Sequence, residues 1–189
     1  MAAAKPAKTP KKVAGIGDAA VQAKTGKTWR EWFALLDRAG ARKMSHKEIA
    51  SYILDELGSA GWWSQMVTVG YEQARGMREK NQTPEGYQTS ASKTLAVTDT
   101  SVFEAWRDAN KRNRWLPKAS LAFRKATSPK SLRITWTEDT TDVDVMNYAK
   151  GQGKCQVSVS HRKLKARREV TRRKKYWAEA LERLQKMLE

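Results

Sequence analysis

The sequence predicts an α+β fold: a small helical bundle, then an antiparallel sheet wrapped on a long C-terminal helix. Three observations predict it. Residues 13–82 carry apolar side chains at three- and four-residue spacing, residues 87–161 alternate with period two, and the chain closes on one amphipathic run. A chain of 189 residues is long enough for two small domains. Its eight Trp can supply their cores, since one buried Trp removes roughly 150–250 Å² from water.

Residues 1–12, MAAAKPAKTPKK, hold four Lys, no acid and no large apolar side chain. They cannot bury enough surface to offset the entropy of ordering and read as a disordered basic tail, with a nucleic-acid-binding arm as the alternative. Residues 13–82 read as a helical domain. Thr28 with Glu31 forms a capping box opening a helix that carries Trp29, Trp32, Phe33 and Leu36 and ends at Ala39-Gly40. Ser45 with Glu48 opens a second, with Ile49, Ile53, Leu54 and Leu57 on one face and Gly58 as its stop. A third, from Gly61 to Arg78, repeats Trp63, Met66, Val67, Gly70, Ala74 and Met77. Its stripe of Gln65, Thr68, Glu72 and Arg75 reads as a wet face with a Glu72–Arg75 pair. These helices would surround four tryptophans, Trp62 included.

Residues 83–86 are polar, with Pro and Gly, and read as a linker. Residues 87–189 form the second domain. A strand over Tyr87–Val97 precedes a helix, capped within Asp99–Ser101, that bears Val102, Phe103, Trp106 and Ala109. Strands are expected at Ser120–Ala126, Ser131–Thr137, Asp142–Tyr148 and Lys154–His161. In the closing helix Val170, Trp177, Leu181, Leu184 and Leu188 share one stripe.

The segments SKTLAVTDTSVFEAWRD, RWL, SLRITW, GKCQVSVSHRKL and YWAEALERLQKML resemble the START-like helix-grip (SRPBCC) superfamily over about residues 88–189. The branch they resemble is named after the activator of heat-shock-protein-90 ATPase. GIGDAAVQAKTGKTWREWFALLDRAGA, SHKEIA and WWSQMVTVGYEQARG resemble a bacterial helical domain of unknown function that often precedes a START-like domain. The first resemblance implies an apolar small molecule or a protein segment bound in the groove between sheet and final helix. Trp106, Trp115, Trp136, Val157, Val159, His161 and Trp177 are the candidate ligand-binding residues. With about five strands, that groove is either shallow or filled by side chains.

The net charge of +17 is concentrated at the ends: the first twelve residues carry +4, and residues 161–189 carry eleven basic side chains against four acidic ones. Lys165, Arg168, Arg172 and Lys175 fall opposite the apolar stripe of the last helix. They read as a solvated face or, alternatively, as a nonspecific nucleic-acid-binding face. Cations near a helix N-terminus oppose its dipole by about 0.3–1 kcal/mol each, and a sequence that tolerates several has a use for them.

Catalytic and metal signatures are sparse. Ala23–Thr28 resembles a phosphate-binding loop, but Val21 stands where the loop needs Gly. His46 and His161 lack partners at metal-ligand spacing; the first reads as a surface first-turn residue, the second as ending a strand at the groove or its rim. Asp142 and Asp144 share a strand face and read as solvated charges. No nucleophile–base pair stands out, so neither cofactor nor metal is expected. A binding protein is the leading reading; an enzyme of the cyclase or hydrolase type found in the START-like superfamily is a third. One cysteine, Cys155, suits a reducing cytoplasm, and no run is apolar enough for a membrane span or a secretory signal.

Overall fold

Two reciprocal capping boxes start the helices of the first half. The computed structural model describes residues 12–58 and 61–189, so the basic tail expected at 1–12 lies outside the described residues except for Lys12. The chain divides between Lys80 and Asn81 into two compact units.

The first unit opens with a short hairpin that the periodicity did not reveal, β1 (Lys12–Val13) and β2 (Ile16–Gly17). A helix, α1 (Asp18–Thr25), follows and was likewise unforeseen. Then come α2 (Trp29–Arg38), a 3-10 turn at Ala41–Lys43, α3 (His46–Leu57) and α4 (Gly61–Ala74). In α2 and α3 the Thr28 and Ser45 hydroxyls accept from the amides of Glu31 and Glu48, whose carboxylates accept in return from the cap amides. The core holds Val21, Trp29, Trp32, Leu36, Ile49, Ile53, Val67 and Tyr71. Both buried indoles are satisfied: Trp29 Nε1 donates to the Ile16 carbonyl at 3.0 Å, and Trp32 Nε1 to the Thr25 hydroxyl at 2.8 Å. Gly70 admits the Trp29 ring, because a Cβ there would lie 2.5 Å from it.

Four expectations for this unit change. The third helix ends at Ala74, not Arg78, because Gly76 takes the left-handed conformation (φ +69°) and the Met77 amide turns back to the Glu72 carbonyl at 2.8 Å. Trp62 stays outside the core, 60% exposed, with its ring edge-on to Trp63. The stripe expected to be wet is partly buried: Thr68 and Glu72 are covered, and α4 packs on α3. Glu72 pairs with His46 at 3.0 Å and Arg78 at 3.3 Å. Arg75 instead reaches Asp37, with Nε at 3.0 Å, and that guanidinium holds the Asp37 carboxyl below its usual range. His46 is thus no bare surface residue; its second ring nitrogen lies 2.8 Å from Gln65 Oε1.

The second unit runs β3 (Gln82–Thr83), β4 (Gly86–Leu95), α5 (Asp99–Arg107), α6 (Ala109–Trp115), β5 (Leu121–Thr127), β6 (Ser131–Trp136), β7 (Thr141–Ala149), β8 (Cys155–Leu164) and α7 (Arg167–Leu188). The strands form one antiparallel sheet in the order β3-β4-β8-β7-β6-β5. Residues 83–86, read as a linker, close the β3–β4 hairpin, with Thr83 paired to Gly86 across Pro84 and Glu85. The cap of α5 is Thr98, one residue earlier than expected, accepting from the Ser101 amide. Alternation sends Leu132, Ile134, Val143, Val145, Cys155, Val157 and Val159 to one face, where α5 and α7 pack. The other face carries mostly polar side chains, with Met146 and Tyr148 exposed among them. No helix among the described residues is long and apolar enough to cross a membrane.

Candidate functional site

The space between sheet and α7 is occupied by the side chains that were expected to line it. Trp106 and Trp115 come from α5 and α6, Trp136 from β6, Val157, Val159 and His161 from β8, and Trp177 from α7. Six of the seven expose no surface to water, and Trp136 exposes 3%. The rings form a connected stack: Trp106 meets Trp115 edge-on at 4.7 Å, and Trp177 touches Trp106 at 5.9 Å and Trp136 at 5.7 Å. With these side chains buried in one core cluster, the groove is filled.

Within that stack runs a directed chain of hydrogen bonds. Trp177 Nε1 can only donate, and it gives its proton to His161 Nδ1 at 3.0 Å. That fixes the neutral imidazole with its hydrogen on Nε2, which donates to Thr141 Oγ1 at 2.7 Å. The Thr141 hydroxyl hydrogen passes to Asp139 Oδ1, and Asp139 Oδ2 accepts from Arg173 Nη2 at 2.6 Å. The Arg173 guanidinium also covers the Trp136 ring, 4.9 Å from its centroid. Burial, reinforced by the Arg173 charge, pulls the His161 pKa down to about 4. Protonation would also aim an N–H at the indole N–H. Burial pushes the Asp139 carboxyl upward, but the hydrogen bonds from Thr141 and Arg173 outweigh it and hold the group below its usual range. Both His161 nitrogens, the Thr141 hydroxyl and both Asp139 oxygens are engaged, so the chain ties α7 to β8 and the β6–β7 turn rather than offering a base to a substrate.

His161 therefore lies inside β8, which continues to Leu164, and not at its end. Arg173, Asp139 and Thr141 were missed from the sequence. A signal existed for the first: Arg173 stands three residues after Val170 and four before Trp177, on the apolar stripe. Glu169 accepts from the Lys165 amide at 2.9 Å and pairs with Arg172 at 3.6 Å.

The other candidates, Lys165, Arg168, Arg172 and Lys175, are all exposed. Arg168, Glu169 and Arg172 border a shallow cleft of about 340 Å³. Asp142 is buried on the outer sheet face, where it holds Arg124 at 3.0 Å and Lys163 at 3.1 Å, while Asp144 holds Arg162 at 2.9 Å. These two acids are ion-paired, not freely solvated. Among the described residues no three His, Cys, Asp or Glu side chains gather as a metal site.

The second unit has a helix-grip arrangement: one antiparallel sheet, paired helices after its first long strand, and a C-terminal helix along the inner face. No protein-family model matches the chain, and no curated protein does. Solved structures with a similar trace include CalU16 from Micromonospora echinospora, 17% identical with a TM-score of 0.48 over 57% of this chain and 80% of that one. The Aha1 dimer from Colwellia psychrerythraea is 11% identical, with a TM-score of 0.48 over 54% and 96%. An HSP90 activator from Plasmodium falciparum is 15% identical, with a TM-score of 0.38 over 43% and 76%.

Proposed function

We propose that this chain is a non-enzymatic binding protein that associates with nucleic acid through the cationic face of α7. The observation that carries this reading is the row Lys165, Arg168, Arg172 and Lys175, every member exposed, on the side away from the buried Val170, Trp177, Leu181 and Leu184. Arg168, Arg172 and Lys175 follow one another at four and three residues, about 5 Å apart along the helix, and Lys165 stands just before its N-cap, Ala166. Lys165 and Arg168 flank the N-terminus of α7, where the macrodipole makes cations unfavourable. Its pairs, Arg172–Glu169 and Lys175–Glu179 at 3.9 Å, join mostly exposed side chains and offset little, because solvent screens them. Residues 165–175 contain no aromatic side chain to stack on a base, so contacts go to phosphates and carry little sequence preference.

The ionisable groups within the grip support a binding role over cyclase or hydrolase chemistry, since His161 and Asp139 are consumed by each other's neighbours. A second reading, an apolar small molecule or protein segment under α7, draws support from one atom: Trp106 Nε1 is buried with no hydrogen-bond partner. A ligand acceptor beside it would satisfy it, provided the indole stack opens. Native mass spectrometry of the purified protein, with and without nuclease, separates the two. Retained, nuclease-sensitive mass supports the polyanion reading; a retained small apolar molecule insensitive to nuclease overturns it in favour of the second.

A further inference from the structure

The outer face of the sheet carries a second feature that the α7 row does not use. Met146 and Tyr148 on β7 are 40% and 46% exposed there, two residues apart on a face whose other side chains are mostly polar or charged. In register, Tyr148 lies beside Gln156 and Thr94, and Met146 beside Ser158 and Ser92. Cations frame this patch at both ends. Alternation places Lys150 on the same side as Tyr148, about 7 Å further along, with Lys154 across the β7–β8 turn. At the other end Arg133 and Lys125 sit side by side on β6 and β5, both exposed. The nearest acid on the face, Asp144, is already held by Arg162. An anionic partner matches this surround. The exposed ring and the hydroxyl row select its kind, because an unpaired base can lie on an aromatic ring projecting from a sheet while its phosphates meet flanking cations. An acidic peptide would instead add at a sheet edge through its backbone.

We infer that the outer sheet face is a single-stranded nucleic-acid surface, with Tyr148 as its stacking platform and Lys150, Lys154, Arg133 and Lys125 as its phosphate contacts. It shares with the α7 reading only the class of partner and uses none of its residues. The test is fluorescence anisotropy at low salt with a labelled oligodeoxythymidine of about 15 nucleotides and, separately, a labelled duplex. Tyr148→Ala should weaken oligodeoxythymidine binding about 10-fold, the loss of one stacked base, and leave duplex binding unchanged. Tyr148→Phe should retain both. Replacing Lys165, Arg168, Arg172 and Lys175 by Gln should show the opposite selectivity. Since Tyr148 is exposed, its variants should melt as the wild type does. Wild-type binding of the single strand that is undetectable, unaffected by Tyr148→Ala, or displaced equally well by polyglutamate would overturn the inference, while the duplex arm would still report on α7.

Discussion

His161 shows how one residue's neighbours decide its chemistry. Its ring accepts from one donor-only group and donates to a hydroxyl that is itself committed, so only the neutral form fits. Because its folded pKa, about 4, is lowered from 6.5, the unfolded chain binds the proton more readily. Stability from this group is therefore fully present above pH 6.5 and declines as pH falls through 6.5 toward 4, by about 3 kcal/mol at most. Urea unfolding followed across that range should show the decline, and His161→Gln should flatten it. A wild-type profile that is level between pH 6.5 and 4 would mean the imidazole is not enclosed as described. None of this was legible from the sequence. A histidine on an alternating strand marks a face, but its partners come from β7 and α7, which chain spacing does not bring together.

At the scale of elements the sequence was more informative, and the reasons are local. Thr28 with Glu31 and Ser45 with Glu48 are separated by three residues, so the reciprocal caps follow from helix geometry alone. The strands at Ser131, Asp142 and Cys155 declared themselves through alternation bounded by turn residues. The β1–β2 hairpin escaped because two-residue strands have no period, and α1 because one of its buried positions is Thr25, a polar residue held by hydrogen bonds to Val21 and Trp32. The filled groove is one of the two states expected, and composition did not choose between them because it counts tryptophans but not the space they occupy. Two substitutions test this packing. Trp177→Ala should cost about 3–5 kcal/mol as a large core truncation. Gly70→Ala should cost about 1–3 kcal/mol, since its methyl meets the Trp29 ring and must displace it. Thermal denaturation of each variant reads both values; losses under 1 kcal/mol would contradict the contacts that hold α7 and α4.

For the whole molecule, each unit has its own buried cluster, and those clusters share no residue. We propose that the units fold independently, with the boundary at Lys80–Asn81 rather than inside the β3–β4 turn. Fragments 12–80 and 81–189 should each melt cooperatively, whereas cutting at residue 84 should leave the second fragment without β3. The net charge of +17 acts at this scale as well, drawing polyanions at long range whatever surface finally holds them.

A phosphate-binding role for the α7 cations is tested most directly by the salt dependence of duplex binding by the intact protein and by the variant with Gln at positions 165, 168, 172 and 175. Each neutralised phosphate contributes a slope of about −0.9 in log affinity against log salt. The wild type should show a steep negative slope, and the variant a markedly shallower one with unchanged thermal stability. Equal slopes for the two proteins, or salt-insensitive binding confined to one sequence, would contradict a phosphate-binding role for α7.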